Sequence, residues 1–286
     1  MDQNAPQYLS PEVDWATIQL PDAWPDQLNF HNPLTWLQLV AHTFRRRQKV
    51  AIPADLPGAE VIPKYVLLEF HNMPNGNYSN RLSHGYLTGF DLSMLNLVQP
   101  VRHWVAGQLS GCQSVLDLGC AGGKTAAAIH RQGVPEVHGL DPSPYLLRHA
   151  ACTFPEIKVR QGVMERLPYP DARFDGMSAV FVFHEVPPSY IRQALAEIAR
   201  VLKPGGLLVL AEPSPIQLRQ SALALWRCYG WRGVYFRLLA HRVFEPFVES
   251  WHQFDLKQEA ALHGLQMEEA IEGMPIRRWV LRRVDS

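Results

Sequence analysis

The chain has 286 residues, enough for one large domain or one domain with elaborations. With 47% hydrophobic and 19% charged residues it can bury a full core, which excludes a globally disordered chain. Lys plus Arg and Asp plus Glu are 27 each, so no net charge draws it to a nucleic-acid backbone or an acidic membrane surface.

The four cysteines, Cys112, Cys120, Cys152 and Cys228, show no CxxC spacing and indicate neither zinc binding nor a disulfide framework. No metal is expected, and reduced thiols fit a cytoplasmic protein. The first residues lack a basic region followed by an apolar core, and no run of roughly 18 apolar residues occurs, so neither a signal peptide nor a transmembrane segment is expected.

In chain order, residues 1–30 are rich in Pro, Asp and Gln, with Trp15 and Trp24 among them, and read as an irregular arm that packs through its aromatics. Asn32 and Pro33 look like a helix start. Trp36, Leu39, Val40, Thr43 and Phe44 then recur at helical spacing, and Arg45, Arg46 and Arg47 suit the helix C-terminus. Such a helix could make peripheral contact with a membrane or a lipid-borne substrate. Packing on the domain is the simpler reading. Residues 65–68 read as a short strand, 71–80 as a polar loop, and 87–109 as helix interrupted at Pro100.

Residues 114–118 form a short apolar run with one acidic interruption, as a buried parallel strand does. It enters the small-residue turn Gly119, Cys120, Ala121, Gly122, Gly123, and residues 124–130 have helix composition. Strand, small turn and helix let a nucleotide-like ligand approach bare backbone at a helix N-terminus, with Asp117 at the strand's carboxyl end. A P-loop would need glycine at the position of Leu118, so that spacing fails by one. The dinucleotide fingerprint fails too, because Ala121 and Lys124 occupy glycine positions. Residues 115–123 closely resemble the loop of Rossmann-like methyltransferases that use S-adenosylmethionine (SAM), with Ala121 replacing the middle glycine.

Further stretches extend the resemblance. Residues 137–140 form a second strand ending at Asp141 and Pro142, and Asp141 offers two acceptor oxygens for ribose hydroxyls. Residues 143–150 read as the next helix and 157–160 as the third strand. Gly162, Glu165, Leu167, Pro168 and Tyr169 then match the family's next motif, whereas Val163 replaces its adenine-binding Asp. The Met164 backbone N–H could still reach the ring, and its side chain suits an aromatic face. Residues 174–183 form the fourth strand, with Phe181 near the cofactor and His184 and Glu185 at its end. Helix 189–202 and the stop at Lys203, Pro204, Gly205 and Gly206 precede the fifth strand, 207–211.

Residues 213–252 exceed a minimal sheet and carry many aromatics, including Trp226, Tyr229, Trp231, Phe236 and Trp251. In the resembling enzymes such an insertion lids the substrate pocket. A helical hairpin extending the core, or a dimer face, is the alternative, and the oligomeric state is left open. Residues 254–264 read as the last helix, with 265–271 and 276–284 as an antiparallel pair.

The expected fold is therefore α/β, a Rossmann-like doubly wound sheet of seven mostly parallel strands with an antiparallel last strand. An N-terminal helical extension covers residues 1–84, and the methyltransferase domain covers 85–286. The resemblance, to the small-molecule branch that includes quinone- and sterol-methylating enzymes, implies SAM as cofactor and S-adenosylhomocysteine as product. It places Asp117, Gly119, Cys120, Ala121, Gly123, Asp141, Pro142, Met164, Glu165 and Phe181 around the cofactor. Tyr78, Tyr86 or Asp91, from the segment before the first strand, would cover its methionine end. The acceptor is expected to be a small apolar or aromatic molecule, with His184 as leading base and Glu185 second. Ala121 and Val163 keep open a catalytically silent SAM-binding module, and a nicotinamide-dependent oxidoreductase is the other alternative.

Overall fold

The computed structural model describes residues 13–43 and 49–284. Phe44 and the basic run Arg45 to Arg47, expected to end the first helix, lie outside them. At the centre is a seven-stranded sheet of order β3-β2-β1-β4-β5-β7-β6. Its strands are β1 (Ser114–Leu118), β2 (Glu136–Asp141), β3 (Lys158–Gln161), β4 (Phe174–Val180), β5 (Leu202–Pro213), β6 (Leu265–Ile271) and β7 (Ile276–Arg283). β1 pairs in parallel with β2 and β4, β2 with β3, and β4 with β5, whereas β7 runs antiparallel to both β5 and β6. The order reverses between β1 and β4, and ligands of open α/β sheets bind at the carboxyl ends of strands beside such a switch.

The central strands are apolar on both faces, as buried parallel strands must be. Leu116, Leu118, Leu208 and Leu210 join Ile191, Leu195 and Ile198 in one core, while Val115, Val209 and Ala211 face a second core with Val101, Val105 and Ile129. Each fully buried Leu or Ile contributes roughly 1.5–3 kcal/mol.

The helices are α1 (Pro33–Thr43), α2 (Asn80–Ser93), α3 (Val98–Gln108), α4 (Lys124–Arg131), α5 (Pro144–Thr153) and α6 (Pro188–Val201), followed by α7 (Ile216–Arg219), α8 (Ala222–Tyr229), α9 (Trp231–Arg242), α10 (Val248–His252) and α11 (Leu256–Ala261). The 213–252 insertion is thus helical. No helix among the described residues is long and apolar enough to cross a membrane.

Several expectations change. Residues 65–68 form no strand; Lys64–Val66 is a 3-10 turn, and Leu68 makes only an isolated bridge to Lys49. Helix 87–109 is two helices, and the boundary placed at residue 84 falls inside α2. The break is at residues 94–97, where Leu95 and Asn96 take φ of +51° and +57°, rather than at Pro100. Pro100 sits in the first turn of α3, where its missing N–H costs no helical bond. β4 stops at Val180 because Phe181 turns to φ +60°. On α1, Leu39 is buried but Trp36 is 55% exposed, tied to Phe30 by its ring and its Nε1.

The N-terminal arm is bound to the sheet domain through packing and one carboxylate. Leu20, Val50, Leu56, Ile62 and Tyr78 pack with Tyr145 of α5, and Trp15 packs on Cys120 and Leu147. Asp26 accepts hydrogen bonds from Ser79 Oγ (2.7 Å) and from the N–H groups of Asn80 (2.9 Å) and Arg81 (2.8 Å). The two N–H groups are first-turn donors of α2 that no helical carbonyl can reach, and the helix dipole favours an anion there. α2 is thereby held across the carboxyl ends of β1 and β2.

Candidate active site

Two cavities meet over the carboxyl ends of β1 and β4. The first, about 1260 Å³ including its open mouth, is bordered by the β1–α4 loop, the ends of β2 and β3, and α2. Its loop backbone is tightly built. Gly119 has φ +59°, and a Cβ there would lie 2.6 Å from Val182 Cγ2. A Cβ on Gly122 would lie 2.5 Å from Leu87 Cδ1, so α2 touches the loop directly. Ala121 also sits at positive φ, +46°, a conformation that strains a side chain other than glycine.

Asp141 ends β2 on the floor of this cavity. Its Oδ2 accepts from the Ala121 N–H and its Oδ1 from the Ser143 N–H, each at 2.9 Å. Each oxygen keeps a second lone pair for a ligand hydroxyl. Burial pushes the Asp141 pKa up to about 7, against the pull of those two N–H groups. Arg102 and Lys124 also line the cavity and are both held by Asp91, at 2.8 and 2.6 Å. The pocket wall therefore carries an acceptor pair, two cations and bare loop backbone. That pattern fits a nucleoside carrying an amino-acid tail, as SAM does.

Of the expected cofactor residues, Gly119, Cys120, Ala121, Asp141, Pro142, Met164, Phe181 and Tyr86 line this cavity, as do Tyr78 and Val163. Three do not. Asp117 lies beneath the loop, 1% exposed, with Oδ1 accepting from Ser178 Oγ at 2.7 Å; burial pushes its pKa up to about 7. β1 alternation puts its side chain on the face opposite Leu116 and Leu118, against Ser178 of β4. Gly123 is the left-handed N-cap of α4 and points at Phe154 and Ala150. Glu165 turns away and accepts from Tyr65 Oη at 2.9 and 3.0 Å.

The second cavity, about 1340 Å³ including its open mouth, is apolar. α2 gives it Leu82, Tyr86 and Phe90, the N-terminal arm gives Met73 and Pro74, and the insertion gives Phe236, Leu239, Val243 and Val248. Tyr86, Phe90 and Phe181 border both cavities. Phe90 and Phe181 meet edge to face at 5.3 Å.

A cluster of imidazoles and carboxylates stands at this junction. Glu185 lines the first cavity, and His71 and Glu245 line the second. His184 lines neither, contrary to the sequence expectation of a leading base. It is 1% exposed, and its Nδ1 lies 2.6 Å from Glu212 Oε2. Glu212 is in turn fixed by the N–H groups of Val182 (2.9 Å) and Phe183 (2.8 Å). Burial opposes charge on His184, but Glu212 and Glu245 outweigh it and hold the imidazole pKa well above its ordinary value. Burial raises the Glu185 pKa, partly offset by His71 and His184.

Sequence reasoning missed His71, Arg102, Glu212 and Glu245. His71 and Glu245 lie in loops without a motif. Glu212 had a signal, an acid closing the apolar fifth strand beside the strand that carries His184. His71 is held at φ +57° by the insertion, since its N–H donates to the Phe244 carbonyl at 3.0 Å.

Comparison with known proteins follows the same lines. The family described as a methyltransferase domain matches residues 116–210. An uncharacterised methyltransferase of Synechocystis sp. is 36% identical over 104 residues, 36% of this chain and 49% of that protein. The chain thus spans about half the length of that relative. A demethylmenaquinone methyltransferase of Tropheryma whipplei is 32% identical over 194 residues, 62% of this chain and 76% of that protein. A solved SAM-dependent methyltransferase from Mesorhizobium loti covers 64% of this chain and 96% of its own, at 19% identity and a TM-score of 0.47. The chain belongs to the class I SAM-dependent methyltransferases.

Proposed function

We propose that the protein transfers a methyl group from SAM to a small apolar or aromatic acceptor, such as a quinol, phenol or lipid-like metabolite. The observation that carries this reading is the shared wall. Tyr86, Phe90 and Phe181 border a polar pocket built around Asp141 and an apolar cavity built around Phe236 and Leu239. The name of the Tropheryma whipplei relative, a demethylmenaquinone methyltransferase, agrees with an apolar acceptor.

When bound, SAM supplies a methyl carbon on a positively charged sulfur, and in-line attack sends the C–S electron pair to that sulfur to give S-adenosylhomocysteine. In this reading Asp141 accepts from the ribose hydroxyls, Met164 packs against the adenine, and Arg102 and Lys124 hold the methionine carboxylate. These contacts set distance and direction, which is most of what an already activated methyl group requires. The aromatic wall keeps water from the reacting carbon. His71 and Glu185 stand where they can take a proton from an attacking hydroxyl. Residues 213–252 act as a lid over the acceptor.

The test is transfer of radiolabelled methyl from SAM to a panel of apolar phenols, quinols and sterols, beside protein, RNA and small charged metabolites. Incorporation into the apolar set supports the reading. Incorporation only into macromolecules or highly charged metabolites refutes it.

A further inference from the structure

The cluster at the junction has the donor set and spacing of a metal site. His71 Nε2 lies 3.2 Å from Glu185 Oε1 and 3.6 Å from Glu245 Oε1, and His184 Nε2 lies 3.6 Å from the same Glu245 oxygen. Ligand atoms of His71, His184 and Glu185 all fall within 4.8 Å of one another. Around a tetrahedral zinc-like ion, with bonds of about 2.0–2.1 Å, neighbouring donors stand about 3.3 Å apart. The three His–Glu separations are close to such edges, and the others within the His71, His184 and Glu185 group are no longer than 4.8 Å.

Three further features favour a cation over a plain ion-pair cluster. His184 Nε2 is buried without a hydrogen-bond partner, and it points into the group. Its Nδ1 is held by Glu212 at 2.6 Å, the carboxylate–imidazole arrangement that presents a ring nitrogen to a metal. No Lys or Arg among the described residues pairs with Glu185 or Glu245, so imidazoles are the ion-pair partners of these two partly buried carboxylates. One divalent ion offsets the charge of its two carboxylate ligands, while Glu212 stays on His184 Nδ1. Mixed nitrogen and oxygen donors suit zinc and its first-row neighbours better than magnesium or calcium.

We propose that His71, His184, Glu185 and Glu245 bind a divalent transition-metal ion of the zinc class at the boundary between the two cavities. Glu185 opens on the cofactor pocket, and His71 and Glu245 open on the apolar cavity. An acceptor hydroxyl in the apolar cavity can therefore reach the ion, which lowers its pKa; with His71 and Glu185 taken up as ligands, its proton leaves to solvent rather than to either of them. The oxygen then forms the new O–C bond to the methyl group as the C–S bond breaks and its electron pair stays on sulfur. This acceptor role rests on the reading of the first cavity as a SAM site; the metal site itself does not.

The experiment uses the full chain, freed of affinity tag and dialysed against chelator. Zinc chloride is titrated calorimetrically into wild type, His71→Ala and Glu245→Gln, and cobalt(II) absorption is recorded on each. His184 is too deeply packed for a clean deletion, so the two ligands that line the cavity carry the test. The expected result is one equivalent of zinc at micromolar affinity or tighter, weakened at least about tenfold by either substitution, with unchanged circular dichroism. Tetrahedral cobalt bands should vanish in His71→Ala. Absence of zinc binding by wild type, or binding by both variants as tight as by wild type, overturns the proposal. Titrating SAM into the same samples separates the two readings. SAM binding without zinc binding overturns the metal site alone, whereas zinc binding without SAM binding keeps the site and removes its assigned role.

Discussion

Asp141→Asn is the substitution whose effect follows most directly from the geometry. The wild-type carboxylate spends one lone pair per oxygen on the N–H groups of Ala121 and Ser143, leaving two for the ribose hydroxyls. Hydrogen bonds to a charged group contribute roughly 1.5–3 kcal/mol each. The amide keeps one acceptor oxygen, loses the charge, and presents an NH2 to one of the two backbone donors. A loss of about 2–3 kcal/mol is expected, which weakens SAM binding by about 30- to 150-fold at pH 8. The pH dependence sharpens the test. The empty-pocket pKa of about 7 means that SAM, which favours the carboxylate, binds fully above that pH and loses affinity as pH falls through it. Between pH 8 and pH 6 the wild-type Kd should rise about tenfold, by the protonated fraction alone. Asp141→Asn should lack that increment, so subtraction removes titration of SAM itself and of Glu185, the carboxylate that adds to the Asp141 shift. Calorimetric titration at both pH values reads both effects. A Kd within threefold of wild type, or the same pH slope in both proteins, would refute the assignment.

Other perturbations test separate parts of the site. Ala121→Gly relieves φ +46° and should stabilise the fold by about 1 kcal/mol, raising Tm by about 2 °C with SAM affinity retained; a lower Tm contradicts the strain. His184→Ala deprives the fully buried Glu212 of its 2.6 Å partner and should cost roughly 3 kcal/mol, about 5 °C in thermal unfolding, and an unchanged Tm contradicts this. Leu239→Arg puts a charge into the apolar cavity and should raise the acceptor KM at least about tenfold while leaving the SAM Kd alone; a selective loss of SAM binding would mean the two cavities are misassigned. Glu165→Gln should leave SAM affinity within about threefold, since its carboxylate is tied to Tyr65, and a large loss in titration would return it to the cofactor set.

Where a stretch combined strand periodicity with a turn demanded by backbone geometry, the sequence could be read almost residue by residue. The β1–α4 loop and Asp141 are such stretches, because small residues and a strand-end acid leave few alternatives. The mostly parallel sheet followed from alternation of strands with helices, whereas its strand order came from the structure. Legibility failed where position depends on what lies across space. Asp117 and Glu165 are motif residues, yet one is turned beneath the loop by strand alternation and the other is captured by Tyr65, 100 residues earlier in the chain. His71 and Glu245 sit in irregular segments, and only the docking of the N-terminal arm against the insertion brings them to 3.6 Å. Helix breaks at residues 94–97 also escaped, since left-handed Leu95 and Asn96 are set by packing while Pro100 was a tolerable first-turn residue.

A crystal structure of the protein with S-adenosylhomocysteine tests the central claim most directly. The expected density puts the ribose hydroxyls within hydrogen-bond reach of Asp141, the carboxylate by Arg102 and Lys124, and the sulfur facing the opening between Tyr86 and Phe181. A product bound elsewhere, or with its sulfur turned away from the apolar cavity, would contradict methyl transfer across that wall.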